Sequence, residues 1–158
     1  MKKIVFLIPL FIFSIKSFSQ KDARESSKPA YDSALATKLG ADKYGMKKYV
    51  MAFLKSGKTK ISDSTEAAKI QMAHLKNITR LASEGKLIVA GPFLDNQNVR
   101  GIFIFNVESI EEAKRLTETD PAIKAGVLEM ELRPWYGSAA LIEAAKLHKK
   151  VGKKSVAE

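Results

Sequence analysis

Residues 87–107, which read LIVAGPFLDNQNVRGIFIFNV, decide the fold of this chain. Two runs in this stretch, Leu87 to Ala90 and Gly101 to Val107, are rich in β-branched and aromatic residues and predict strands. Between them, Asp95 to Asn98 (DNQN) has the composition of a turn. The stretch therefore predicts a β-hairpin.

A strand and a helix are predicted before the hairpin. Tyr49 to Lys55 (YVMAFLK) predicts a strand. After Asp63, apolar residues recur at helical spacing up to Gly85, a residue type that commonly ends helices. The helical stripe consists of Ala67, Ile70, His74, Ile78 and Leu81. This segment predicts an amphipathic helix packed on the sheet.

A second helix and a last strand are predicted after the hairpin. Ser109-Ile110-Glu111-Glu112 matches a capping box, in which the Ser and Glu side chains bond each other's backbone amides at a helix start. Val127 to Arg133 alternates between apolar and charged residues, as a strand does. The order β-α-β-β-α-β predicts a ferredoxin-like α+β fold with a four-stranded antiparallel sheet.

Both faces of the predicted sheet are apolar. In the third strand, Ile102 and Ile104 point to one face, and Phe103 and Phe105 point to the other. A half-exposed antiparallel sheet usually alternates apolar and polar residues, so the second face should also be covered. We expect a homodimer with facing sheets. The alternative is that residues 138–151, with apolar residues at helical spacing, fold back over this face.

The chain divides into four predicted segments. Residues 1–19 combine Lys2 and Lys3 with a 12-residue apolar run and small residues near Ser19, which predicts a signal peptide. That run is shorter than the ~20 residues of a membrane-spanning helix, although an uncleaved anchor is the alternative. We expect a flexible polar leader at 20–43, a folded domain at 44–137 and a basic helical tail at 138–158. The expected product is periplasmic or secreted, with no stable membrane span after processing.

Composition excludes several kinds of chemistry. The 158 residues include no cysteine and two histidines, so thiolate nucleophiles and cysteine zinc sites are excluded, and no metal site is expected. The sequence has no glycine-rich dinucleotide or phosphate-binding motif, so no cofactor is expected. The net charge is +10, and the C-terminal tail is rich in lysine. This tail either binds an acidic partner or surface, or is a solubilising helix end.

Nucleic acid is not an expected partner. RNA-recognition motifs share this strand order, but their aromatic residues occupy the third and fifth positions of the strand that begins here at Arg100. Ile102 and Ile104 stand at those positions, while Phe103 and Phe105 point to the opposite face. The register therefore argues against RNA binding.

His74 and Asp120 each have two interpretations. His74 lies on the buried stripe of its helix, where an imidazole either bonds a backbone carbonyl or, with a partner, transfers protons near neutral pH. Asp120 precedes Pro121, a pattern typical of a helix start. The same carboxylate could instead accept a hydrogen bond from an imidazole. Spacing alone does not decide between these interpretations.

The motifs together resemble a known family. In chain order they are Gln71-Met72-Ala73-His74-Leu75, Gly85-Lys86-Leu87 leading into Ala90-Gly91-Pro92, the helix start at Ser109 to Ala113, Thr119-Asp120-Pro121 followed by Ala125-Gly126, and Glu131-Leu132-Arg133-Pro134-Trp135. Over about residues 48–135 the chain resembles the YciI-like (YCII-related) domain. The resemblance implies a ferredoxin-like fold that dimerises into an α+β barrel, as in muconolactone-isomerase-like proteins. It also implies a His-Asp active-site pair, which maps to His74 and Asp120.

The sequence favours a small enzyme that transfers a proton on an unknown small molecule, of isomerase, lyase or hydrolase type. His74 is the expected general acid or base, and Asp120 its orienting partner. Phe93 and Trp135 follow strand ends and are candidates for substrate binding, although core and dimer packing also explain them. The alternative function is a non-catalytic dimeric binding or structural protein of the cell envelope.

Overall fold

The computed structural model describes residues 30–157. The signal peptide predicted for residues 1–19 and the first part of the predicted leader lie outside these described residues. Within residues 30–157, no helix combines the length and the apolar character needed to cross a bilayer.

Four strands form one antiparallel sheet. They are β1 (Met46–Ser56), β2 (Leu87–Pro92), β3 (Val99–Phe105) and β4 (Leu128–Ser138). Their order in the sheet is β2-β3-β1-β4, and each neighbouring pair is antiparallel. With the helices that connect the strands, this order is the ferredoxin-like α+β fold, so the fold prediction is confirmed.

Five helices accompany the sheet in the described part of the chain. They are α1 (Ser33–Leu39), α2 (Ser64–Ser83), α3 (Ile110–Thr117), α4 (Pro121–Lys124) and α5 (Ile142–Val151), the last preceded by a 3-10 turn at Ala139–Leu141. At the start of α3, the Ser109 hydroxyl accepts the Glu112 N–H at 3.1 Å, which is one of the two bonds of the predicted capping box. The return bond, from the Ser109 N–H to the Glu112 carboxylate, does not form within residues 30–157. The Glu112 carboxylate accepts from Lys86 Nζ at 2.8 Å, which connects α3 to the start of β2.

Helix α1 lies inside the segment predicted to be a flexible leader. Asp32 caps it by accepting the Leu35 N–H at 2.9 Å, and Gly40 ends it with a φ of 67°, which glycine adopts without strain. Leu39 is buried. The segment has few large apolar residues, so its composition did not predict this helix, whereas its capping residues were a usable signal.

The main core fills the space between one sheet face and the helices. Its buried members are Val50, Ala52, Leu54, Leu81, Leu87, Phe103, Phe105, Val107 and Ala113. Because successive strand residues point to opposite faces, Phe103 and Phe105 belong to this helix side and Ile104 to the other. We call these the helix side and the open side of the sheet.

The open side is partly covered by the C-terminal segment. Tyr49, Ile88 and Ile104 form a buried cluster there, and Leu141 and Ile142 pack against it. Residues 138–151 therefore fold back over part of the open side, as the alternative prediction stated. Beyond this cluster, Phe53 and Ile102 are half-buried. The homodimer with facing sheets remains a prediction.

Candidate active site

His74 lies in the middle of α2 on the face that packs against the sheet. Its imidazole stacks on the ring of Phe103, with 6.0 Å between ring centroids and 15° between planes. Only 6% of the residue is exposed. The predicted stripe is therefore correct, and the ring is held between a helix and a strand.

Asp120 begins α4 and is completely buried. Its Oδ1 accepts the Ala122 N–H at 2.9 Å, and Pro121 occupies the first helical position. Proline suits this position because the first backbone N–H of a helix has no partner within the helix. The helix-start interpretation of Asp120 is thus correct.

The second oxygen of Asp120 serves His74. The imidazole Nδ1–H donates to Asp120 Oδ2 at 2.7 Å, although 46 residues separate the two in the chain. Because the carboxylate accepts at Nδ1, a neutral imidazole keeps its proton there and presents a lone pair at Nε2. Within residues 30–157, no group forms a hydrogen bond with Nε2. One aspartate therefore both caps a helix and fixes a histidine tautomer.

A polar network next to the pair was not predicted from the sequence. Arg80 Nη2 donates to Asn77 Oδ1 at 2.8 Å and to the Thr119 hydroxyl at 3.0 Å, and Arg80 Nη1 binds Glu84 at 2.7 Å. Asn77 is 8% exposed and follows His74 by one helical turn. The sequence feature that could have indicated this network is the asparagine on the buried face of α2. The network connects α2 to the residue that precedes Asp120.

An open cleft of about 640 Å³ is lined in part by α2 and α4, the two helices that carry the pair. Its volume is within the range of small-molecule sites. The cleft lies between the first half of α2, the segment after β1, and α4. It is lined by Ser56, Gly57, Thr59, Lys60, Ile61, Ala67, Ala68, Ile70, Gln71, Arg100, Ala122, Val127 and Leu128. His74 and Asp120 are not among these residues, but Ile70 precedes His74 by one turn and Ala122 follows Asp120 by two residues.

The two aromatic candidates do not join the pair within one chain. Trp135 lies on the open side, where its ring is 5.8 Å from that of Tyr49, so the sheet separates it from His74. Phe93 follows β2 and is 47% exposed, and its N–H donates to the Arg100 carbonyl at 2.8 Å. Phe93 is therefore next to a residue of the cleft, whereas Trp135 is not.

The arrangement fits acid-base chemistry at one atom. A neutral imidazole with its tautomer fixed by a buried carboxylate accepts a proton at Nε2, and the carboxylate stabilises the resulting cation. Among residues 30–157, no group of three or more His, Cys, Asp or Glu side chains could hold a metal ion.

The fold and the pair define a ferredoxin-like α+β domain with one buried His-Asp pair. The chain belongs to the YCII-related domain family, whose model matches residues 48–136, more than half of its length. The predicted family is therefore confirmed.

The chain is similar to a curated bacterial protein and to a solved enzyme structure. A protein of Bacillus subtilis (strain 168), "Uncharacterized protein YjpA", is 31% identical over 62 residues, which are 39% of this chain and 71% of that protein. The solved structure of 5-chloro-2-hydroxyhydroquinone dehydrochlorinase (TftG) from Burkholderia phenoliruptrix AC1100, in complex with 2,5-dihydroxybenzoquinone, is 23% identical with a TM-score of 0.41. That match covers 54% of this chain and 92% of the dehydrochlorinase.

Proposed function

We propose that this protein is an enzyme that transfers a proton on a small organic molecule, in a reaction of isomerase, lyase or hydrolase type. His74 is the general base or acid at Nε2, and Asp120 orients it. The observation that carries the proposal is the buried 2.7 Å hydrogen bond between His74 Nδ1 and Asp120 Oδ2.

The energetics of this pair favour a functional role. Replacing a buried ionisable pair by apolar residues is often neutral or stabilising, so such a pair is weak evidence of a need for stability. Here both members of the pair are buried, and the imidazole packs against Phe103 of the main core. Stacking on Phe103 and the bond to Asp120 restrict the ring in two directions, which is the preorganisation that proton transfer requires.

Substrate approaches the pair from the adjoining cleft in this proposal. Both segments that carry the pair contribute to the cleft wall, through Ile70 on α2 and Ala122 on α4. Phe93 contacts substrate from the neighbouring sheet edge. Trp135 takes part only through a partner chain, since the sheet lies between it and His74.

We also propose the homodimer with facing sheets and export to the periplasm or the medium. The half-buried Phe53 and Ile102 on the open side support the dimer, because apolar sheet faces of this kind are usually covered. The residues at 1–19 support export. Light scattering on wild type and on Phe53→Lys tests the homodimer. The mass of the mature chain tests export.

The central test replaces His74 by Asn. The Asn side-chain amide keeps a donor for Asp120 but has no base at the Nε2 position. Deuterium uptake from heavy water into a panel of small ketones, lactones and 1,3-dicarbonyl compounds, followed by NMR, measures proton transfer. We expect a loss of about 10²–10⁴-fold in the exchange rate of the best substrate.

The matched control is His148→Asn, which removes the other histidine, on the exposed face of α5. This variant should keep the full rate. Asp120→Asn provides a second variant, since Asn is also a good helix cap but donates to Nδ1 and reverses the tautomer. If His74→Asn folds and keeps more than a third of the rate, the enzymatic proposal fails and the non-catalytic envelope protein takes its place.

A further inference from the structure

The charged residues that line the cleft are all cations. The residues that line it include Lys60 and Arg100 and no Asp or Glu. Within residues 30–157, neither cation forms an ion pair. Two unpaired cations at one concave site favour an anionic ligand, because the positive potentials of the two side chains add there.

The position of Arg100 depends on a β-bulge. Leu54 of β1 pairs with Gly101 and Lys55 pairs with Val99, so Arg100 is the extra residue of β3. In a regular strand, Arg100 and Gly101 would point to opposite faces. A bulge changes the direction of a side chain, and here Arg100 lines a cleft on the helix side.

The position of Lys60 depends on the segment before it. The Gly57 N–H donates to the Val127 carbonyl at 2.8 Å, and the Thr59 N–H donates to the Gly126 carbonyl at 3.0 Å. A Cβ on Gly57 would lie 2.1 Å from the Gly126 oxygen, so only glycine allows this close approach. These bonds hold the backbone immediately before Lys60 against the cleft wall.

The remaining lining suits an apolar body. Ile61, Ile70, Val127 and Leu128 provide aliphatic surface, and Gln71 provides an amide.

Asp63 and Glu66, which follow Lys60 in the chain but do not line the cleft, have partners within α2 and its cap. Asp63 Oδ1 accepts the Glu66 N–H at 2.7 Å, and the Glu66 carboxylate is 3.7 Å from Lys69 Nζ. No carboxylate among the lining residues offsets the positive charge of Lys60 and Arg100.

We propose that this cleft binds a small organic carboxylate with an apolar body, whose charge contacts Lys60 and Arg100. The inference rests on the proposed function, since it names the substrate class of the His74 reaction. The aliphatic wall holds the body of the molecule towards α2 and α4, the elements that carry the His-Asp pair.

The test uses 2-naphthoate and its neutral counterpart 2-naphthamide as probes, titrated into the full chain with backbone amide NMR as readout. Two exposed charge contacts predict that naphthoate binds about tenfold tighter than naphthamide. Its affinity should fall as salt is raised from about 20 to about 200 mM, while that of naphthamide should stay constant. The shifted amides should include Gly57, Thr59 and Gln71.

Two variants test whether Lys60 and Arg100 contact the carboxylate of the probe. In Lys60→Gln/Arg100→Gln, the preference for naphthoate should fall to less than about twofold, while naphthamide binding stays unchanged. Lys76→Gln, which removes an exposed cation of α2 outside the cleft, should keep the full preference. Equal binding of both probes, no binding, or shifts confined to the C-terminal lysines would each overturn the proposal.

The outcome is separable from that of the proposed function. His74→Asn leaves Lys60 and Arg100 in place, so it should keep the naphthoate preference whether or not proton exchange is lost. If the protein prefers naphthoate but shows no proton exchange, the binding proposal stands and the enzymatic proposal fails. If the protein shows proton exchange but no preference for naphthoate, the enzymatic proposal stands and the binding proposal fails.

Discussion

Asp63 and Asp120 each begin a helix, but they differ in burial and in the partners that they bind. Asp63 at the start of α2 accepts the Glu66 N–H at 2.7 Å and is exposed, whereas Asp120 at the start of α4 accepts the Ala122 N–H at 2.9 Å and is completely buried. Asp120 also uses its second oxygen for His74. The comparison teaches that a helix cap and a site residue are compatible assignments for one carboxylate, because its two oxygens face different partners.

The largest effect should come from Asp120→Ala, measured against Asp63→Ala by urea unfolding. Removing one partner of a buried pair costs about 3–5 kcal/mol, and here the helix cap is also lost. Asp63→Ala removes only an exposed cap, which costs about 1 kcal/mol. Equal losses of unfolding free energy in the two variants would show that the His74 bond adds nothing to the cap.

The next effect concerns Arg80, which connects α2 to the residue before Asp120. Arg80→Gln removes the guanidinium hydrogen bonds to Asn77 and Thr119, with an expected loss of about 1 kcal/mol because the side chain is half-exposed. As a positioning residue, Arg80 should also affect the His74 Nδ1–H resonance and the pH profile of proton exchange.

The control for Arg80 is Glu84→Gln, which removes only the outer ion pair at Arg80 Nη1. This variant should leave the His74 resonance where it is in wild type. If both variants change stability alone and by the same amount, Arg80 is a structural residue and not a positioning one.

The smallest effect should come from Glu131 on β4, a partly exposed carboxylate that belongs to neither helix cap. Hydrogen bonds from Lys55 and Arg133 lower the pKa of Glu131 below its ordinary value. Its contribution to stability is therefore fully present above the ordinary glutamate pKa and is lost as the pH falls through the folded-state pKa.

Unfolding of wild type and Glu131→Gln between about pH 7 and about pH 3 measures this contribution. The small difference between the two proteins should be constant near neutrality and disappear at the acid end. A difference that grows on acidification would contradict the lowered pKa.

The sequence predicted the strand order and both members of the pair for identifiable reasons. The stripe through His74 followed from helical periodicity, and the helix start at Asp120 followed from the proline after it. The bond between them was not predictable from spacing, because it depends on how α2 packs against α4. The resemblance to the family supplied that pairing, and the geometry gives its length and direction.

Two parts of the site could not be read from the sequence. Arg100 reaches the helix side through a register shift between Leu54 and Lys55, and alternation alone assigns it to the other face. Asn77 and Arg80 depend on contact with Thr119, which lies on a different element. Both cases require knowledge of tertiary packing, which local patterns do not carry.

The close approach of Gly57 to Gly126 has a consequence for redesign of the protein. Since residues 57–59 are bonded to residues 126–127, an insertion there would separate β1 from the start of β4. Residues 60–62 follow this attachment and precede the first helical turn, so they can be exchanged or lengthened while the sheet keeps its register. The ligand preference proposed for the cleft could thus be altered through these three residues, with no change to His74 and Asp120.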